Sequence, residues 1–296
     1  MKKAVIFSFS ATGNTQKAVN LFKQSLEEKD IQTEIRKIDY KLNDFDTKDF
    51  DLVGFAYPIH GFNAPKIVLE VAKKLGKEDR KPCFILKTSG EPLKINNISS
   101  CKLASILKKK GFEITNEYHY AMPYNMIFRH TDNMASLMYD TMKRLIPCHA
   151  DEVARGKKRL LKKVFLGSLL SAIFRIEFIA YKINGRFFKV DMEKCISCNK
   201  CVNICPRHNI EVKEGKFSFG KNCLGCTACS FSCPKDAFNI GMLQGWKVNG
   251  AYDFSASPER QKGKHERYCK KAYDKYFANA EKEISKFLEE RDVKAV

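Results

Sequence analysis

The chain has 296 residues, room for about two domains, and its apolar content (44%) argues against disorder. It carries 53 Lys and Arg against 34 Asp and Glu, a formal net charge of +19. This basic balance favours an acidic protein partner or an anionic surface. Charge alone would also allow nucleic acid, but because the sequence contains no nucleic-acid-reading motif, we expect no nucleic acid to bind.

Twelve cysteines are many for a chain of this size, and eight of them lie between residues 195 and 233. A disulfide scaffold of a secreted protein would be shorter and would follow a signal peptide. The first apolar run, residues 4–9, is too short for the core of a signal peptide. We therefore expect a reducing, cytoplasmic compartment.

Short apolar runs alternate with helix-like segments over residues 1–156. Strands are predicted at residues 4–9, 32–38, 52–56, 83–87 and 114–119. Helices are predicted at residues 14–29, 65–75, 100–110 and 134–158, and Pro147 should kink or break the last of them. This alternation predicts an α/β doubly wound parallel sheet with helices on both faces.

A polar loop follows the first strand and leads into the first helix; it consists of Ser10, Ala11, Thr12, Gly13, Asn14 and Thr15. Hydroxyl side chains and free N–H groups at a helix N-terminus form a natural phosphate site. The loop has no Lys, so it is not a nucleoside-triphosphate P-loop, and it lacks the dinucleotide G-x-G-x-x-G pattern. A plain strand-to-helix turn is the alternative. The loop resembles the FMN-phosphate loop of flavodoxins, Ser/Thr-x-Thr-Gly-Asn-Thr.

The resemblance to flavodoxins implies that the flavin ring lies between two further loops at the carboxyl edge of the sheet. The loop after strand 52–56 contains Tyr57, Pro58, Ile59, His60, Gly61 and Phe62, and the loop after strand 83–87 contains Thr88, Ser89, Gly90 and Glu91. His60 or Tyr57 is favoured to stack on the ring, with Phe62 as a third choice, although plain packing is an equal alternative for each. Residues 123–125 follow the fifth strand at the same edge and form either a contact or a plain loop.

Residues 157–190 form a basic, partly apolar bridge that is predicted to be helical over 164–181. With Arg175 and Glu177 inside it, this segment is a poor membrane span. It is either a helix packed between domains or an interfacial helix resting on a membrane surface. After it, residues 186–190 are predicted to form a strand. A polar tail, residues 246–296, is helical towards its end and is assigned to docking or oligomerisation; the oligomeric state itself stays open.

The clustered cysteines form an internal repeat, residues 191–245, in which each run has the spacing Cys-x2-Cys-x2-Cys-x3-Cys-Pro. The first run is Cys195, Cys198, Cys201 and Cys205, and the second, with each member 28 residues later, is Cys223, Cys226, Cys229 and Cys233. This is the bacterial two-cluster ferredoxin pattern, in which the fourth cysteine of each run binds the other cluster.

The repeat therefore predicts two [4Fe-4S] clusters with crossed ligands. One set is Cys195, Cys198, Cys201 and Cys233, and the other is Cys223, Cys226, Cys229 and Cys205. Zinc and disulfides are the alternatives, but two triplets that are each extended by Cys-Pro do not divide into paired zinc sites. The signal covers roughly residues 188–242 and predicts a small α+β two-cluster ferredoxin-like domain.

Together the two halves resemble a family of flavodoxin–ferredoxin fusion proteins from anaerobic microbes. The resemblance implies FMN plus two [4Fe-4S] clusters and low-potential electron transfer to an acidic redox partner protein. Flavodoxins are usually acidic, whereas this chain is basic, which is a departure from the family. Two alternatives stay open: an FMN-dependent reductase of a small molecule that is fed by the clusters, and a membrane-surface redox adaptor. No catalytic residue is assigned.

Overall fold

The computed structural model describes residues 1–260 and 264–295, and its N-terminal half is built on one sheet of five parallel strands. The strands are β1 (Lys2–Ser8), β2 (Ile31–Lys37), β3 (Leu52–Pro58), β4 (Lys81–Ser89) and β5 (Phe112–Ala121). They lie in the order β2-β1-β3-β4-β5, the doubly wound order of the flavodoxin-like fold. Because all five are parallel, their carboxyl ends meet at one edge.

Helices cover both faces of this sheet, as the predicted alternation requires. They are α1 (Asn14–Glu27), α2 (Lys66–Lys74), α3 (Cys101–Lys109) and α4 (Asp132–Ala154). On one face α2 and α3 bury side chains such as Val68 and Leu103 against the sheet, and on the other α1 and α4 bury Phe22 and Met142. The continuous apolar strands are explained by this two-sided burial.

Helix α4 runs through Pro147, so the expectation of a break there is wrong. Proline removes one helical hydrogen bond and costs about 3 kcal/mol in a helix interior. Its neighbours Ile146 and Cys148 are buried in the core between the sheet and the C-terminal helix. The burial of this face outweighs the local penalty, because tertiary packing contributes most of the stability of a helix in a protein.

The bridge forms two short helices, α5 (Gly167–Phe174) and α6 (Glu177–Asn184), instead of one helix over 164–181. The Ser171 hydroxyl at the inner face of α5 donates to Asn63 Oδ1 at 2.7 Å. Phe178 of α6 packs against the core on the α2–α3 face of the sheet. The predicted strand at 186–190 is reduced to the two residues of β6 (Lys189–Val190).

The cysteine repeat folds into a small α+β unit. Its elements are β6, α7 (Lys200–Ile204), β7 (Ile210–Lys213), β8 (Lys216–Phe219), α8 (Ala228–Phe231) and β9 (Phe238–Asn239). Strand β6 pairs with β9 and β7 with β8, both antiparallel. The β7–β8 turn is Glu214-Gly215, both with positive φ, as a tight two-residue hairpin requires.

The tail forms α9 (Lys264–Ala295), which packs on α4. Ala280 and Ile284 are buried in the core on that side of the sheet. Arg144 donates from Nη1 and Nη2 to the Glu281 carboxylate at 2.6 and 2.8 Å. The tail therefore covers α4 and completes the core on that side of the flavodoxin-like half. In the described part of the chain, no helix has the length and apolar character needed to cross a bilayer.

Candidate functional site

The loop of residues 10–15 is shaped to hold an anion. It connects β1 to α1, and Gly13 caps the helix with a φ of 100°, a conformation that side chains with a Cβ rarely adopt. Ser10 Oγ accepts from the Gln16 N–H at 3.1 Å. In the part of the chain that the structure describes, the N–H groups of residues 11–15 make no hydrogen bond to the protein. Free N–H groups at a helix N-terminus are what a phosphate binds, so the phosphate of FMN fits this loop.

Four loops meet at the carboxyl edge of the sheet and line one cleft. Its lining residues are Ser10, Ala11, Thr12, Asn14, Thr15, Pro58, Ile59, His60, Thr88, Ser89, Gly90, Met122, Pro123, Tyr124 and Asn125. The loops are tied together: Thr15 and Thr88 hydroxyls are 2.7 Å apart, and Asn14 Nδ2 donates to the Pro123 carbonyl at 2.7 Å. Residues 123–125 thus belong to the cleft, and Met122 was missed by the sequence reasoning.

Five of the residues named from the sequence do not line the cleft: Gly13, Tyr57, Gly61, Phe62 and Glu91. Tyr57 is a residue of β3 and is fully buried in the core, so it cannot stack on a ring in the cleft. Phe62 points to α5, where its ring lies 4.7 Å from that of Phe174. His60 lies at the cleft, and burial lowers the pKa of its imidazole to about 4, so it is neutral near pH 7.

The cysteines form two separate groups around two cavities. Cys205, Cys223, Cys226 and Cys229 line the first cavity, hereafter the proximal set. Cys195, Cys198, Cys201 and Cys233 line the second, hereafter the distal set. Each group contains one cysteine from the opposite run, which is the crossed arrangement that the repeat predicts. Among the described residues, no group of three or more His, Cys, Asp or Glu side chains is placed to hold a single metal ion.

The duplication of the sequence is also a duplication of the backbone. Left-handed residues occur in pairs 28 positions apart: Ser197 with Gly225, Asn199 with Thr227, and His208 with Asp236. These turns aim N–H groups at sulfur. The Asn209 N–H donates to Cys205 Sγ and the Ala237 N–H to Cys233 Sγ, each at 3.3 Å, and the Gly225 N–H donates to Cys223 Sγ at 3.4 Å. Hydrogen bonds to cluster sulfurs are one of the factors that set a cluster's reduction potential.

Two thiols of the proximal set, those of Cys226 and Cys229, are held away from water. Burial raises the pKa of the Cys226 thiol to about 12, and burial likewise raises the pKa of the Cys229 thiol well above its ordinary value. Thiolates in such a place need a positive partner, which iron would supply when a cluster is bound. The residues present therefore fit an iron–sulfur cluster.

The proximal set adjoins the cleft at the sheet edge. Asn125, which lines the cleft, donates from Nδ2 to the Cys226 carbonyl at 3.3 Å. Its own carbonyl accepts from the Thr227 hydroxyl at 3.2 Å. Leu224 and Ala228 of the same cysteine loop pack into the core on the α2–α3 face. Asn125 thus contacts both the cleft and the proximal cysteine loop.

Helix α6 is a second link between the two sites, and the sequence reasoning missed it. Its Glu177 carboxylate lies against Gly61, where a Cβ would overlap Oε2, and Tyr181 lies against Gly225 of the proximal cysteine loop. The Tyr181 hydroxyl donates to Glu177 Oε2 at 3.1 Å, while Oε1 is buried without a partner in the described structure. Burial raises the pKa of Glu177 to about 7.

Comparison with known proteins supports the assignment of an iron–sulfur domain to the C-terminal half of the chain. The model of the 4Fe-4S binding domain matches residues 188–211. A ferredoxin from Methanothermococcus thermolithotrophicus is 34% identical over 55 residues, which cover 17% of this chain and 92% of that protein. Pyruvate synthase subunit PorD of Methanothermobacter marburgensis is 37% identical over 57 residues, covering 19% of this chain and 68% of that subunit.

The N-terminal half is similar to flavodoxins in fold. The structure of the flavodoxin of Streptococcus pneumoniae TIGR4 matches 52% of this chain and 98% of its own, at 14% identity and a TM-score of 0.39. The strand order β2-β1-β3-β4-β5 is the order of the flavodoxin-like fold. Through its C-terminal domain the chain therefore belongs to the 4Fe-4S ferredoxin family, and it is a fusion of that domain with a flavodoxin-like one.

Proposed function

We propose that the protein carries low-potential electrons between two [4Fe-4S] clusters and one FMN and passes them to a partner protein. The observation that carries this proposal is the position of Asn125, which lines the cleft and bonds to the proximal cysteine loop at both Cys226 and Thr227. A cofactor in the cleft and a cluster on the proximal set would therefore be neighbours. An enzyme that used flavin alone would have no need of this contact.

The exposure of the two cysteine sets suggests the order in which electrons pass through the molecule. The proximal set is enclosed by the flavodoxin-like core and by α6, whereas Cys198 of the distal set is exposed. A distal cluster would exchange electrons with the partner, and a proximal cluster would stand between it and the cleft. Lys200 and Lys235 line the distal cavity, which suits an acidic partner surface.

Each group of residues has a physical task in this scheme. Clusters pass single electrons, and FMN when bound supplies a centre that holds one or two. The free N–H groups of residues 11–15 bind the phosphate, and the cysteine-loop N–H groups tune the clusters. The relative named pyruvate synthase subunit PorD supports an oxidoreductase of that general class as a donor, with a reduced ferredoxin as the other candidate.

The first test is a cofactor count on protein purified without oxygen. The proposal expects about eight irons, eight sulfides and one FMN per chain. Cys205→Ser should remove about half of the iron and perturb the proximal cluster, while Cys101→Ser, which changes a thiol outside both sets, should leave the count intact. Protein that binds zinc in place of iron, or a full count in Cys205→Ser, would refute the cluster assignment.

A second test separates a carrier from a reductase with its own substrate. After photochemical reduction of the clusters, the flavin spectrum should bleach, and oxidation should then require a partner protein. Steady turnover of a small-molecule acceptor without any second protein would favour the reductase alternative. Asn125→Ala should slow the bleaching of the flavin without changing the cofactor count, because it removes the side-chain bond to the Cys226 carbonyl and keeps only the backbone carbonyl that accepts from Thr227.

A further inference from the structure

The bridge helices expose an apolar stripe. Large side chains recur at helical spacing along the outer side of residues 165–187, and all are between 46% and 89% exposed. We define the outward stripe as Phe165, Leu169, Ile173, Ile176, Ile183 and Phe187. Single exposed apolar residues are ordinary on a soluble protein, but a continuous row of them marks a surface that another body covers.

The opposite side of the same helices carries the residues that contact the rest of the fold. Gly167 and Ser171 of α5 are buried against the flavodoxin-like domain, and Asn184 of α6 donates to the Ile240 carbonyl at 2.9 Å. Glu177 also turns inward, towards Gly61. Phe178 of α6 faces inward as well and packs against the core, so the helices already have the inward apolar contacts of an ordinary surface helix. The outward stripe is therefore not needed for the packing of the fold.

The charges beside the stripe have one sign. Residues 157–190 contain nine Lys and Arg and one acidic residue, Glu177, and four of the nine cations, at 157–159 and 163, form ion pairs with glutamates of the flavodoxin-like domain. Lys162 and Arg186 are exposed beside the two ends of the stripe, and Lys182 lies between them. An apolar row with a basic border is the pattern of helices that lie in the plane of an anionic membrane, with apolar side chains below the headgroups and cations among the phosphates.

We propose that the outward stripe rests in the headgroup region of an anionic lipid bilayer and holds the protein on the membrane surface. Because no helix in the described residues is long and apolar enough to cross a bilayer, the attachment is peripheral. It deepens the proposed function by placing electron exchange at a membrane surface, but it does not depend on cofactor content. A protein partner or a second copy of the chain would be the other occupants, and the test separates them.

The test is co-sedimentation of the cofactor-loaded chain with vesicles. We expect it to pellet with phosphatidylcholine vesicles that contain phosphatidylglycerol, and to stay in solution with phosphatidylcholine alone. The double variant Ile173→Asp/Ile176→Asp should lower the partition coefficient roughly tenfold or more, because it removes two buried apolar contacts and adds repulsion from anionic lipid. Lys182→Glu/Arg186→Glu should weaken binding mainly at low salt.

The control is Leu288→Asp, which changes an exposed apolar residue on α9, away from the stripe; it should pellet as the unchanged protein does. Circular dichroism and iron content show whether each variant is folded and loaded. Equal pelleting of the Ile173/Ile176 variant, or no pelleting of the unchanged protein, overturns the proposal. So does a lipid-free dimer that this variant converts to a monomer, since that result would assign the stripe to a second copy.

Discussion

Gly13 is the residue at which backbone conformation bears most directly on the cleft. Its φ of 100° is accessible to glycine at little cost, while a Cβ there would cost about 1–2 kcal/mol although no neighbour crowds it. Relief of that strain would move the loop of residues 10–15 away from its anion-binding shape. We therefore expect Gly13→Ala to weaken FMN binding roughly tenfold, as measured by fluorescence titration of flavin-free protein.

Gly156 supplies a matched control for this prediction. It has a φ of 70°, its Cβ would also meet open space, and it does not line the cleft. Gly156→Ala should therefore lower stability by about the same amount as Gly13→Ala, 1–2 kcal/mol, while FMN affinity stays unchanged. Equal FMN affinity in the two variants would contradict a role for the loop in binding phosphate.

Glu177 gives the molecule a pH-dependent stability. The pKa of its carboxyl is about 7 in the folded protein against the ordinary value of 4.5, so the folded state binds a proton more tightly than the unfolded chain. The contribution of Glu177 to stability therefore falls as pH rises from about 4.5 to about 7 and does not change further above that range. Glu177→Gln should stabilise the protein by about 1 to 2 kcal/mol at pH 8, and by much less at pH 5.

The measurement is the midpoint of thermal unfolding at the two pH values, without oxygen. The exposed Glu193→Gln controls for the loss of one negative charge and should show no difference between them. Tyr181 on the same helix donates to Glu177, and the ring of His60 lies 6.5 Å from that of Tyr181. Tyr181→Phe should raise the carboxyl pKa further, because the hydroxyl donates to the ionised form. A Glu177→Gln effect of equal size at both pH values would count against a buried, titrating carboxyl.

At the scale of elements, α9 was assigned from the sequence to docking or oligomerisation, and in the structure it packs on α4 of its own chain. Its Ala280 is buried against the α4 side of the core, whereas the adjacent Asn279 is exposed. Ala280→Asp should cost about 3 kcal/mol or more, because it buries an unpaired charge, and Asn279→Asp, with the same added charge, should cost about 0.5 kcal/mol or less. Urea unfolding measures both. Equal small effects would mean that α9 does not dock on its own chain.

The sequence was enough to predict a site where the residues that form it lie close together in the chain. The cysteine spacing and the loop of residues 10–15 each encode a turn and its ligand atoms within a few residues, so both sites could be outlined without a structure. Alternation of strands and helices likewise predicted the sheet. Residues 123–125 were named as a possible contact, but the bond of Asn125 to the cysteine loop and the inward position of Glu177 could not be predicted, because they depend on how the cysteine loop and α6 pack on the sheet edge. Tyr57 was misplaced because the strand was predicted to end at residue 56, whereas β3 runs to Pro58 and buries Tyr57 in the core.

At the scale of the whole molecule, the positive charge decides which partners can dock. The formal charge is +19, and eight thiolates with two clusters and a flavin phosphate would lower it by about six, so the loaded protein stays basic. Docking to an acidic redox partner should then be steered by charge. We expect the second-order rate of cluster reduction by an acidic ferredoxin to fall roughly tenfold from low to high salt, as measured by stopped-flow absorbance.

Two charge-reversed variants decide where that docking occurs. The variant Lys200→Glu/Lys235→Glu lowers the net charge beside the distal cysteines by four. Lys2→Glu/Lys77→Glu makes the same change at exposed positions near the amino ends of β1 and β4, the opposite edge of the sheet from the cleft. If electrons enter through the distal cluster, the first variant should slow reduction roughly tenfold and lose most of the salt dependence, and the second should change the rate by less than about twofold. Equal rates in both variants would mean that electrons enter elsewhere, and the order distal cluster, proximal cluster, FMN would have to be abandoned.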